Sequence, residues 1–165
     1  AINDAMVAAA PALAGRGLAV THQTGERDLS RVRDGYRAAG VTATVEAFFQ
    51  DMNVRMRRAD VLVTRAGAST IAELTVLGRA SVLVPLPTAA DDHQRKNARV
   101  LAAAGAAEVI EQAELTGGRL AHTLVTLAAD PARRRAMAER ARGLGRPDAA
   151  ARVADCIVAL VGGGR

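Results

Sequence analysis

The sequence predicts an α/β domain: a parallel sheet with helices on both faces. Three observations carry this. Short apolar runs alternate with helical patterns along the first two thirds of the chain. Runs such as Val61-Leu62-Val63 and Ser81-Val82-Leu83-Val84 are continuous rather than alternating, as in strands buried on both faces. Ala contributes 38 residues and Arg 21, both good helix formers, while Tyr36, Phe48 and Phe49 are the only aromatic residues.

The elements follow in order. Ile2, Met6, Val7 and Leu13 recur at helical spacing, giving a helix over residues 2–14 that stops at Gly15 and Gly17. Leu18 to His22 reads as a strand and Thr24-Gly25 as a turn. A polar helix over residues 28–39 ends at Gly40, and Val41, Ala43 and Val45 then share one face of a strand over 41–47. A short helix over 51–59 leads to a buried strand over 60–64. A helix over 70–77 closes at Gly78, a good C-cap residue. The strand over 80–86 is broken by Pro85 and Pro87; a helix over 92–104, ending at Gly105, and a strand over 107–111 follow. Helices alone complete the chain: 118–129, 131–144 with Pro at its first turn, and 147–161. The last carries Val153, Cys156, Ile157, Leu160 and Val161 on one stripe. No internal repeat and no linker interrupts this pattern, so residues 1–165 read as one domain. The chain opens without Met and already inside a helical pattern, which suggests a fragment whose first strand and turn lie upstream of Ala1.

Composition narrows the function classes. An apolar content of 50% excludes a disordered chain. No apolar run approaches the roughly 20 residues of a bilayer span. A single cysteine removes a disulfide framework and a cysteine-rich zinc site. The net charge of +5 comes from Arg spread along the chain, with almost no aromatic surface for base stacking, so nucleic acid is not the expected partner. A mild positive field suits phosphates.

Parallel sheets bind ligands outside the carboxyl ends of their strands, so chemistry is sought there. After residues 60–64 come Arg65, Ala66, Gly67, Ala68, Ser69 and Thr70, small residues at a helix start, where free N–H groups favour an anion. Thr70 and Glu73 stand three apart. They fit a capping box, or equally a phosphate at the helix start with Glu73 accepting from a ribose diol. After the next strand, Asp91 and Asp92 complement a helix dipole, while His93 and Gln94 face the same edge and Gln94 could bond a sugar hydroxyl. Asp-Asp-His lacks the further ligands a metal needs, and no cofactor is expected. His22, at a strand end, reads as a packed or turn-stabilising residue. Phe48 and Phe49 fit core packing, or a loop whose backbone bonds a planar ring such as a nucleobase. No Ser-His-Asp or Cys-His arrangement suggests covalent catalysis.

Taken together, the run from Ala59 to Leu74, His22-Gln23-Thr24-Gly25, Phe48 to Met52, Asp92-His93-Gln94 with Asn97-Ala98, Ala104 to Ala107 and Pro147-Asp148-Ala149 resemble the MurG family of bacterial N-acetylglucosamine transferases, in the family's order and over nearly the whole chain. The resemblance implies a GT-B fold of two Rossmann-like halves, this chain being the carboxyl-terminal, nucleotide-sugar-binding half. It implies UDP-N-acetylglucosamine as donor, its uracil beside the backbone at Phe49 and its ribose hydroxyls on Glu73. The diphosphate would lie along Ala66, Gly67, Ala68, Ser69 and Thr70, and the sugar would face His93 and Gln94. The implied reaction is inverting transfer to the 4-hydroxyl of the muramyl unit of lipid I, at the cytoplasmic face of the bacterial inner membrane. By the same resemblance the acceptor site, the general base and the membrane contact belong to an amino-terminal half, so no catalytic residue is expected in this chain. A different donor, as in a diacylglycerol glycosyltransferase, and a non-catalytic α/β binding module are the alternatives.

Overall fold

The computed structural model describes residues 1–162. Its elements run α1 (Ile2–Leu13), β1 (Val20–Gln23), α2 (Leu29–Ala38), β2 (Ala43–Glu46), α3 (Met52–Arg58), β3 (Val61–Thr64), α4 (Ala68–Leu77), β4 (Ala80–Leu83), α5 (His93–Ala103), β5 (Ala107–Val109), α6 (Gly117–Ala129), α7 (Pro131–Leu144) and α8 (Ala149–Gly162). Every strand and helix expected from the sequence is present, most with ends shifted by one to three residues. Single 3-10 turns precede α2, α5 and α6.

All strand pairing is parallel, but the strands form two sheets rather than one. β1 lies beside β2, Val20 against Ala43 through Gln23 against Glu46. β4 lies between β3 and β5, with Val61 against Ala80 and Ser81 against Ala107. β4 is buried at every position, and its alternating side chains explain how both faces are covered. Ala80 and Val82 join an apolar cluster with Leu13 of α1, Val32 and Tyr36 of α2, and Leu120 and Leu127 of α6. Leu83 joins a second cluster with Leu74 of α4, Ala98 and Leu101 of α5, and Ala141 of α7. β3 departs from its expected burial: as an end strand of its sheet it is half-buried at all four positions.

Local chemistry sets the helix ends. The Thr116 side chain accepts the N–H of Arg119 at 3.1 Å to begin α6, and Asp130 accepts that of Arg133 at 2.8 Å to begin α7, with Pro131 in the first turn. Gly78 closes α4 in the left-handed region, φ 58°. Every residue of α8 from Ala149 to Val161 is exposed, the apolar stripe included, with Val153 60% and Leu160 81% exposed.

Candidate functional site

The parallel pairing puts the carboxyl ends of β3, β4 and β5 on one edge of their sheet, and those of β1 and β2 on one edge of theirs. At the end of β3, α4 starts at Ala68, with Gly67 at its N-cap, two residues earlier than the sequence pattern suggests. The capping box is therefore not formed. Thr70 lies inside the first turn, and no side chain caps the helix. The first backbone N–H to close is that of Ile71, on the Gly67 carbonyl at 2.9 Å. The N–H groups of Ala68, Ser69 and Thr70 thus point out of the helix start, the arrangement that favours an anion. Ser69 is exposed, Thr70 half-buried, and Glu73 is exposed one turn on, with no hydrogen bond among the described residues.

This start is held from a distance. Ala66, fully buried, has its N–H taken by Gln94 Oε1 at 3.3 Å and its carbonyl by Asn97 Nδ2 at 3.0 Å. The same Gln94 oxygen accepts the N–H of Leu86 at 3.0 Å, tying the loop after β4 to the loop after β3. One amide oxygen is thus committed to two backbone donors, leaving the amide NH2 as the group Gln94 can offer a ligand. Arg65 fastens the same edge. Its guanidinium donates to the carbonyls of Val84 and Pro85 at 3.2 and 3.3 Å and to Gln112 Oε1 at 2.7 Å, linking the loops after β3, β4 and β5. Burial lowers the pKa of this guanidinium from its ordinary value. The roles of Arg65, Asn97 and Gln112 as loop ties are not visible in local spacing.

Asp91 and Asp92 do not simply complement a dipole. Both sit in the left-handed region, φ 49° and 55°, which Asp tolerates better than most residues. Asp92 accepts from Arg95 at 3.0 Å, and Arg95 also pairs with Glu111 at 3.1 Å. His93 begins α5 and is exposed. Among the described residues no three His, Cys, Asp or Glu side chains are grouped to hold a metal ion.

At the other edge His22 is buried, and it is a packed residue. Asn3 Nδ2 donates to the Thr24 carbonyl at 3.0 Å and to Asp28 Oδ2 at 2.8 Å, so its Oδ1, 3.0 Å from His22 Nε2, must accept. His22 therefore carries its proton on Nε2, and Nδ1 accepts from the Tyr36 hydroxyl at 2.9 Å. Burial holds the imidazole pKa below its ordinary value, opposed by the Asp28 charge, and pushes the Tyr36 hydroxyl up. This chain of bonds fixes the start of α1 against the end of β1.

The two phenylalanines divide. Phe49 is buried, with the Arg55 guanidinium 3.9 Å from its ring centroid, whereas Phe48 is 64% exposed. Two open concavities of about 500 and 520 Å3 lie away from α4, one along α2 and β2, the other between α5 and the Gln112–Glu114 turn. No described helix is long and apolar enough to cross a membrane.

Known proteins are similar to this chain in sequence and fold. Residues 1–153 match the family described as the glycosyltransferase family 28 C-terminal domain. A protein of an Anaeromyxobacter species named UDP-N-acetylglucosamine–N-acetylmuramyl-(pentapeptide) pyrophosphoryl-undecaprenol N-acetylglucosamine transferase is 48% identical over 163 residues, 98% of this chain and 43% of its own. The protein of the same name from Alkalilimnicola ehrlichii is 52% identical over 135 residues, 82% of this chain and 38% of its own. The crystal structure of Acinetobacter baumannii MurG superposes with a TM-score of 0.85 at 34% identity, covering 94% of this chain and 45% of that one. The chain spans under half the length of the relatives it matches.

Proposed function

The chain belongs to the glycosyltransferase family 28 C-terminal domain family, and on that premise we propose that it is the donor-binding half of an inverting glycosyltransferase. The whole enzyme transfers N-acetylglucosamine from UDP-N-acetylglucosamine to the muramyl-pentapeptide polyprenyl diphosphate, converting lipid I to lipid II. Relatives of that printed name, 47–52% identical, support the reading. The observation that carries it is the start of α4. Its open N–H groups follow an Ala66 backbone clamped by Gln94 and Asn97, and Glu73 is unengaged one turn further.

In this reading Ala66, Gly67, Ala68, Ser69 and Thr70 receive the diphosphate. Charge growing on the departing UDP is met by the helix dipole and by N–H groups already in place, so little reorganisation is required. Glu73 accepts from both ribose hydroxyls. The uracil rests at the Phe49 backbone, and His93 and the Gln94 NH2 face the sugar. Acceptor binding, proton abstraction and peripheral contact with the cytoplasmic membrane face fall to the rest of the longer protein. A further parallel strand between β1 and β3, whose Val20, Val61 and Val63 pack on one cluster, would join the two sheets. The 165-residue chain alone is then expected to turn over no lipid I.

Calorimetry on the full-length protein tests the site. Glu73→Ala should weaken UDP binding by about 1–3 kcal/mol, about 5- to 150-fold in Kd, because the ribose hydroxyls lose their acceptor. An effect no larger than that of Glu139→Ala, an exposed change on α7, refutes the assignment. Titration with UDP-glucose and UDP-galactose checks the sugar.

A further inference from the structure

The Phe49 backbone already has a partner. Its N–H donates to Oε1 of Gln23, the exposed last residue of β1, at 2.9 Å. The loop does not need this bond to hold its place. Beyond β2 the ladder continues without it, through the N–H of Thr24 on the Glu46 carbonyl and that of Gly25 on the Ala47 carbonyl, both at 3.0 Å. The Phe49 ring is anchored by burial and by Arg55, itself held by Asp51 at 2.7 Å.

The chemistry of the partner is informative. A primary amide presents a carbonyl acceptor beside an N–H donor. The C4 carbonyl and N3–H of uracil present the same pair, in the same polarity, while cytosine presents an amino donor beside a bare ring nitrogen. A peptide unit whose N–H is kept facing an acceptor therefore suits the first base and opposes the second. We propose that the Gln23 amide stands in for the pyrimidine edge, occupying the Phe49 N–H until the C4 carbonyl of an arriving nucleotide displaces it. This rests on the reading that the uracil lies at Phe49. It adds that base binding is an exchange of one acceptor for another, and that Gln23 sets its cost.

Removing the competitor should then tighten binding. Gln23→Leu keeps a side chain of similar bulk at this exposed position and deletes its acceptor. In the full-length protein, calorimetry should find the UDP Kd lowered about 2- to 10-fold, the worth of one net hydrogen bond, with CDP affinity unmoved. Unchanged or weaker UDP binding, or an equal gain for CDP, overturns the proposal. Wild-type protein that is folded yet binds no UDP overturns the donor-site reading itself, and this inference with it.

Discussion

Gln94 carries two separable duties, and two substitutions pull them apart. Its oxygen accepts from Ala66 at 3.3 Å and Leu86 at 3.0 Å, and its nitrogen is the group left for a ligand. Gln94→Leu deletes the one acceptor and with it both bonds. The Leu86 N–H is half-buried and regains water, but Ala66 is fully buried and its N–H is orphaned. An unsatisfied buried donor costs about 1–3 kcal/mol, and the longer of the two bonds is the one at Ala66, so about 2 kcal/mol is expected. For a domain of this size that is a fall of about 4–8 °C in Tm by calorimetric scanning. Gln94→Glu keeps the acceptor and strengthens it by charge, so it should unfold within about 2 °C of wild type. The same variant has lost the NH2 and sets a charge near the diphosphate, so it should weaken UDP binding and weaken UDP-N-acetylglucosamine binding further. If Gln94→Leu leaves Tm unmoved, or Gln94→Glu falls as far as Gln94→Leu, the clamp is not what holds Ala66. If Gln94→Glu weakens both ligands equally, the amide does not face the sugar.

Two further outcomes follow from the packing. Because burial lowers the His22 pKa, the unfolded chain takes up that proton first as pH falls. Stability is therefore complete above the ordinary value near 6.5 and declines below it, levelling once the folded pKa is passed; His22→Gln should flatten this part of a urea-unfolding series against pH. Gly117 and its neighbour Gly118 should respond oppositely to Ala. A Cβ at Gly117 would lie 2.5 Å from the Ala8 Cβ and 2.6 Å from its backbone carbon, so Gly117→Ala should cost about 1–3 kcal/mol, whereas Gly118 faces open space and Gly118→Ala should gain about 0.4–1 kcal/mol in urea-unfolding ΔG.

The fold was legible because its signals are local. The continuous run Val61-Leu62-Val63, the stop at Gly78 and the Pro131 first turn each act within a few residues, and each marks an element that is present. What local pattern could not settle was partnership. Val153 to Val161 read as a helix stripe and are one, but nothing in that spacing says which surface covers it, and here it is exposed. Likewise an apolar run shows that a strand exists, not how many neighbours it has. Among the described residues β3 pairs on one side only and is half-buried, whereas β4, paired on both, is fully buried.

The same distinction explains the site. Thr70 and Glu73 supported two readings because spacing of three suits a cap and a ligand alike, and only the place where α4 begins separates them. That start is set at Ala66, whose two backbone groups are bound by side chains 28 and 31 residues further along. The sequence pattern brought Gln94 to this edge as a sugar ligand, but its hold on two loops depends on α5 lying against the end of β3. A hydrogen bond of that range leaves no periodicity. In the proposed site the small residues after β3 leave room for a ligand, while the geometry they offer is made by α5. This is why substitutions at Gln94 and Asn97 should alter diphosphate affinity even where neither side chain reaches it.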